Sequence, residues 1–283
     1  MANRENPFGQ VLVALVTPFN ADGEVNWADV EKHIDHVVSN GVDGVVVTGT
    51  TGETSTLTDQ EKVKLVEVGK AVAGDRAKII MGGPSNETAH AIELAKKSAA
   101  VGADGLMVVT PYYNKPTQAG VLTHFRLVAD ATDLPVIMYD VPGRAGIEIK
   151  YDTIVRASQH PNILAVKDAK GDFYEVSRVL NTTDLLYFSG DDGNVLPHMS
   201  IGAAGCGFRP IVDWRQVTFC FVAMDQIVVN IGDANISVGD IASVWGDPVD
   251  GTPHPDEWAD WAGTIGYEIV TRLGHRVVRI PSR

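Results

Sequence analysis

The 283-residue chain is 45% hydrophobic and 21% charged, enough apolar material to bury the core of one large α/β domain or of a barrel with a small appendage. Its 23 basic and 36 acidic residues leave a net charge of −13, which argues against a nucleic-acid partner. Its two cysteines, Cys206 and Cys220, have no CxxC spacing and no neighbouring histidine pair, which argues against a disulfide framework or a zinc site.

The N-terminus has no apolar run after its basic residue, and no uninterrupted apolar stretch of about 18 residues occurs. No membrane partner and a cytoplasmic location are therefore expected. From Val11 to about residue 205, short β-branched runs alternate with amphipathic stretches at an interval of roughly 30 residues, the pattern of βα units. Seven strands are predicted, at Val11 to Pro18, Gly44 to Thr50, Ile79 to Gly82, Gly105 to Tyr112, Val136 to Val141, Leu164 to Asp168 and Leu186 to Gly190. Most are apolar on both faces, as in a parallel sheet covered on each side. Thr58-Asp59-Gln60-Glu61 fits a capping box, and Gly41, Gly74 and Gly102 sit where helices should end.

Such units build either an open doubly wound sheet or a (βα)8 barrel, and no Gly-rich dinucleotide fingerprint follows the first strand, which favours the barrel. The eighth strand is expected within residues 206 to 214, where Arg209 and Pro210 interrupt it, since proline cannot donate to a ladder. The expected fold is an α/β (βα)8 TIM-type barrel over 1–210, incomplete or irregular at its eighth strand, with a small, mainly β C-terminal domain over 211–283. Within the latter, Thr218 to Ile231 and Ile236 to Trp245 read as antiparallel strands, Pro255 to Leu273 as a helix and Arg276 to Ile280 as a closing strand.

Lys167 ends the apolar run Leu164-Ala165-Val166. A strand rarely closes on an amine without a partner to neutralise it or a carbonyl to attack, so the position suggests a Schiff-base nucleophile. Thr50, Tyr113 and Tyr139 lie at or near the ends of three other predicted strands, and in a βα barrel all those ends meet at one face. Singly, each has a structural explanation: Lys167 as a snorkelling strand end, Tyr139 as a core ring, Thr50 as a cap paired with Glu53. Together they supply the amine and proton shuttles that Schiff-base chemistry needs.

Gly49-Thr50-Thr51-Gly52-Glu53, Thr110-Pro111-Tyr112-Tyr113-Asn114-Lys115-Pro116, Tyr139-Asp140-Val141-Pro142-Gly143-Arg144 and Val166-Lys167-Asp168 follow one another as in a known family. Over Val11 to about Gly205 the chain closely resembles the dihydrodipicolinate synthases, pyruvate-dependent class I aldolases. The resemblance implies that Lys167 forms an imine with pyruvate, whose enamine attacks aspartate 4-semialdehyde in lysine biosynthesis. No external cofactor is implied beyond that covalent pyruvate imine. It also implies a proton relay of Thr50, Tyr113 and Tyr139, with Tyr113 donated into a neighbouring subunit's site, and hence a homo-oligomer, dimer or tetramer.

On this reading an apolar rim around Lys167 disfavours the ammonium and activates the amine. Hydroxyls and backbone NH groups around Thr50 and Thr51 suit the pyruvate carboxylate. Arg144, whose planar fork suits a carboxylate on the acceptor, favours aspartate semialdehyde over another acceptor aldehyde; the alternative is a surface arginine in a Pro-Gly turn.

The resemblance stops near Gly205. Residues from about Gln216 to Arg279 resemble instead the C-terminal domain of alanine racemases, through Met224-Asp225-Gln226-Ile227-Val228-Val229, Val238-Gly239-Asp240 and Thr264-Ile265-Gly266-Tyr267-Glu268-Ile269-Val270. That resemblance makes Met224 and Tyr267 counterparts of substrate-carboxylate and cofactor-phosphate contacts. No racemase-type lysine segment is found in the N-terminal part, so neither pyridoxal phosphate nor racemase activity is expected. A catalytically dead barrel carrying a binding or oligomerisation module is the competing expectation, motivated by the interrupted eighth strand.

Overall fold

The computed structural model describes residues 5–208 and the backbone of two further strands, Phe219–Val222 and Ile227–Val229. Eight parallel strands close into a barrel: β1 (Val11–Ala14), β2 (Gly44–Val47), β3 (Lys78–Gly82), β4 (Gly105–Val109), β5 (Val136–Asp140), β6 (Ile163–Asp168), β7 (Leu186–Ser189) and β8 (Gly205–Phe208). The helices between them are α1 (Trp27–Ser39), α2 (Asp59–Ala73), α3 (Thr88–Ala100), α4 (Gln118–Ala129), the one-turn α5 (Pro142–Ala145), α6 (Tyr151–Ala157), α7 (Phe173–Thr182) and α8 (Val195–Ser200). All seven strands read from the sequence form, with ends shifted by a few residues.

Local chemistry sets the helix ends. The Thr58 hydroxyl accepts from the Glu61 N–H while the Glu61 carboxylate accepts from the Thr58 N–H, the expected capping box of α2. Gly41, Gly74 and Gly102 have φ of 88°, 57° and 92° just past α1, α2 and α3, a region costly for other residues. The core has two layers. Val45, Val47, Ile79, Leu106, Val108, Met138 and Val166 point outward against the helices, whereas Leu12, Val46, Ile80, Met107, Ile137 and Phe188 fill the interior. Phe8, ahead of the first strand, belongs to the interior layer and meets Phe188 edge-on with ring centroids 6.2 Å apart.

The expected incompleteness at the eighth strand is corrected by β8. It pairs with β1 over Val11 to Val13 and with β7 over Phe188 and Ser189, so both edges are covered. Two facts explain this. The Gln10 carbonyl oxygen accepts from the Cys206 N–H at 2.9 Å and lies 2.0 Å from where a β-carbon on Gly205 would stand, so only glycine admits the approach. The described strand also ends at Phe208, so Arg209 and Pro210 lie outside both it and the described residues.

Beyond the barrel, the predicted strand 218–231 is two strands rather than one. β9 (Phe219–Val222) and β10 (Ile227–Val229) pair antiparallel, with a register shift between Val228 and Val229. The predicted strands 236–245 and 276–280, the helix 255–273, Met224 and Tyr267 lie outside the described residues. Cys206 is a buried, reduced thiol whose pKa burial pushes up to about 12, which keeps it protonated and inert. Among the described residues no helix is long and apolar enough to cross a membrane.

Candidate active site

The carboxyl ends of β2, β5 and β6 surround a cavity of about 230 Å³. Lys167 and Tyr139 are register partners on adjacent strands. The lysine is 6% exposed, and its Nζ stands 4.7 Å from the centre of the Tyr139 ring. A β-carbon on Gly207 of β8 would fall 3.0 Å from Lys167 Cε and 3.3 Å from Nζ, so the eighth strand gives the side chain its space by having none of its own there. The Tyr139 carbonyl is fixed by the Thr110 N–H and hydroxyl, each donating at 3.2 Å.

Thr50 and Thr51 reach the cavity on a tight turn after β2. Thr48 and Glu53 bracket it with φ of 58° and 56°, a left-handed conformation rare for residues with side chains. The Thr48 hydroxyl donates to the Gly82 carbonyl at 2.8 Å, and the Gly52 and Glu53 N–H groups bond back to the Gly49 and Thr50 carbonyls. Gly52 is forced, since a β-carbon there would lie 2.9 Å from the Leu15 carbonyl. Thr50 and Thr51 both line the cavity.

Arg144 is exposed on α5, which starts at Pro142 directly after β5, and its side chain borders the same cavity. Lys167, Tyr139 and Thr50, three of the four groups expected to converge from strand ends, thus come together with Thr51 and Arg144. Tyr113 does not line the cavity. It projects from the loop after β4, 88% exposed and with φ of 68°. Ala14, Met107 and Gly190 also line the cavity and went unread in the sequence; strand alternation was the available signal for Met107.

Strand alternation turns Asp140 and Asp168, each one residue past an inward-facing group, to the outer side of the barrel, where they are register partners. Asp140 is 1% exposed. Its Oδ1 accepts from the Ile149 N–H at 3.1 Å, while Oδ2 has no hydrogen bond and sits 3.7 Å from Lys170 Nζ. Burial outweighs that ammonium and raises the carboxyl to about 7. Burial pulls Lys170 down, but its bond to Glu175 and the nearby Asp140 and Glu148 carboxylates leave it raised overall. Asp168 bonds His198 at 3.0 Å and the Gly171 N–H at 2.9 Å. None of this network was assigned a role from sequence. Among the described residues no group of three or more His, Cys, Asp or Glu is placed to hold a metal.

Residues 7–212 match the model of the dihydrodipicolinate synthetase family, and residues 214–281 that of the alanine racemase C-terminal domain. A 4-hydroxy-tetrahydrodipicolinate synthase of Acidothermus cellulolyticus is 54% identical over 202 residues, 71% of this chain and 66% of that protein. The chain therefore spans just under two thirds of that relative's length. A lysine-bound dihydrodipicolinate synthase from Cyanidioschyzon merolae superposes with a TM-score of 0.70 at 43% identity, covering 72% of this chain and 70% of that one. A chloride-inhibited, pyruvate-complexed dihydrodipicolinate synthase from Acinetobacter baumannii gives a TM-score of 0.69 at 40% identity, covering 71% and 70%.

Proposed function

The chain belongs to the dihydrodipicolinate synthetase family, and on that premise we propose that it condenses pyruvate with L-aspartate 4-semialdehyde to 4-hydroxy-tetrahydrodipicolinate, as a lyase working through a lysine imine. The observation that carries the reading is Lys167, buried at the barrel's end against the Tyr139 ring in a cavity shared with Thr50, Thr51 and Arg144.

The Lys167 nitrogen, as the free amine, adds to the pyruvate ketone carbon. The carbinolamine loses water as Tyr139 delivers a proton to the departing hydroxyl. Loss of a methyl proton gives the enamine, whose carbon bonds the acceptor's aldehyde carbon while the aldehyde oxygen takes a proton. The acceptor's amine then attacks the imine carbon, closing the ring and releasing Lys167. The imine is its own electron sink, so the cycle uses no external cofactor.

Thr50 and Thr51 would hold the pyruvate carboxylate with hydroxyls and N–H groups, and Arg144 the acceptor carboxylate through its two-pronged guanidinium. Tyr113, exposed and held in a costly backbone conformation, is assigned to the relay of an adjoining subunit, which requires a homo-oligomer, dimer or tetramer. A cytoplasmic location and a barrel domain over 1–210 followed by a second domain over 211–283 complete the proposal, the division being supported by the change of family match between residues 212 and 214. Barrel closure removes the ground for a catalytically dead fusion.

The test is borohydride reduction in the presence of pyruvate followed by peptide mass mapping. A pyruvate adduct confined to Lys167 and lost in Lys167→Ala is expected. No adduct on folded wild-type protein would sink the reading.

A further inference from the structure

Asp168 and His198 form a buried pair on the outer side of β6, one residue from Lys167. The His198 ring is 0% exposed and meets Phe173 edge-on, with centroids 5.0 Å apart. Its Nδ1 lies 2.8 Å from the Asn194 carbonyl oxygen and its Nε2 3.0 Å from Asp168 Oδ2. Both neighbours are acceptors, yet a neutral imidazole carries a single N–H. Satisfying both contacts takes a second proton, on the ring or on the carboxyl. In either case the pair carries no net charge.

The pair also joins two walls of the cavity. Asp168 follows Lys167 in β6, and His198 sits on α8, which leads into the strand whose Gly207 borders the lysine. The titratable groups around this region are Asp140 from β5 and Tyr187 from β7, both of which interact electrostatically with Asp168, together with Glu148, Lys170 and Glu175, and Asp192 beside Cys206 of β8. Lys170 is held by Glu175, Glu148 and Asp140, while His198 Nε2 meets the Asp168 carboxylate.

We propose that His198 is a positioning residue for Lys167: it anchors Asp168 and compensates its charge, so that no unbalanced buried carboxylate lies across the strand from the reacting amine. The inference rests on the Schiff-base reading above.

The test is the rate of pyruvate adduct formation, trapped with cyanoborohydride, as a function of pH. Glutamine at 198 can still offer Asp168 an N–H but cannot carry the charge, so in His198→Gln the carboxylate is unbalanced and favours the ammonium of Lys167. The midpoint of the profile should move to higher pH by roughly one unit. Asp168→Asn, alone or combined with His198→Gln, should restore the wild-type midpoint, because no carboxylate is left to act. A His198→Gln profile that superimposes on wild type overturns the proposal, as does a shift that persists in the double variant. Should His198→Gln fail to fold, Asp168→Asn decides: a superimposed profile supports the proposal and a displaced one overturns it. An adduct absent from wild type would overturn the Schiff-base reading and this inference together, an outcome separate from all of these.

Discussion

Lys167 and Asp168 are sequence neighbours with opposite surroundings, because alternation along a strand sends one side chain into the barrel and the next against the helices. The same holds for Tyr139 and Asp140. Asp140 is the more exacting case, since its carboxyl is raised to about 7 by burial. Its folded pKa lies above its unfolded value, so its contribution to stability is fully present below about pH 4 and lost as pH rises through 7. Asp140→Asn should remove that loss, leaving the variant more stable than wild type at pH 8 by up to about 4 kcal/mol and much closer to it at pH 5. Thermal melts at both pH values check this, and an equal gap at the two would refute the assigned shift. Lys167, Tyr139 and Thr50 were legible because each lies at or near a strand end, and they share with Thr51 and Arg144 a place in recognisable motifs. The network behind them was not, because its partners lie far apart in sequence: Asp168 and His198 are 30 residues apart, and His198 sits in a six-residue helix too short to show a periodicity.

Strands and helices were read well where two signals agreed, as at α2, where apolar spacing, a capping box and a terminal glycine all point the same way. The eighth strand was misjudged because Pro210 drew attention to 206–214, while closure is carried by four residues that start at a glycine. The close approach of Gln10 to Gly205 is tertiary and leaves no local pattern. It makes a sharp prediction at this level. Gly205→Val would force the first and eighth strands apart, lowering stability by about 3 kcal/mol, whereas Cys206→Ala at the next position should cost less. Urea unfolding of both variants measures the difference, and a tolerated valine would show that the seam is looser than described.

For the molecule as a whole, Tyr113 lies outside its own cavity, and its proposed donation to an adjoining subunit predicts that activity needs an assembly. Mixing Lys167→Ala with Tyr113→Phe subunits, each inactive or impaired alone, should restore activity after subunit exchange. A statistical mixture of dimers would reach roughly a quarter of the wild-type rate, since half the dimers are mixed and each holds one intact site. No recovery in a mixture shown to exchange would place Tyr113's role within its own subunit. The position of the seam has a further consequence for how such a chain could arise. The cavity residues named above end at Gly190 and the last barrel strand at Phe208, while the first family match runs only to 212. Everything that makes the barrel a ring is therefore encoded upstream of the point where the ancestry changes. A recombination event at that point could exchange whatever followed and leave β1 to β8 whole, and that junction is where an engineer would choose to graft another domain.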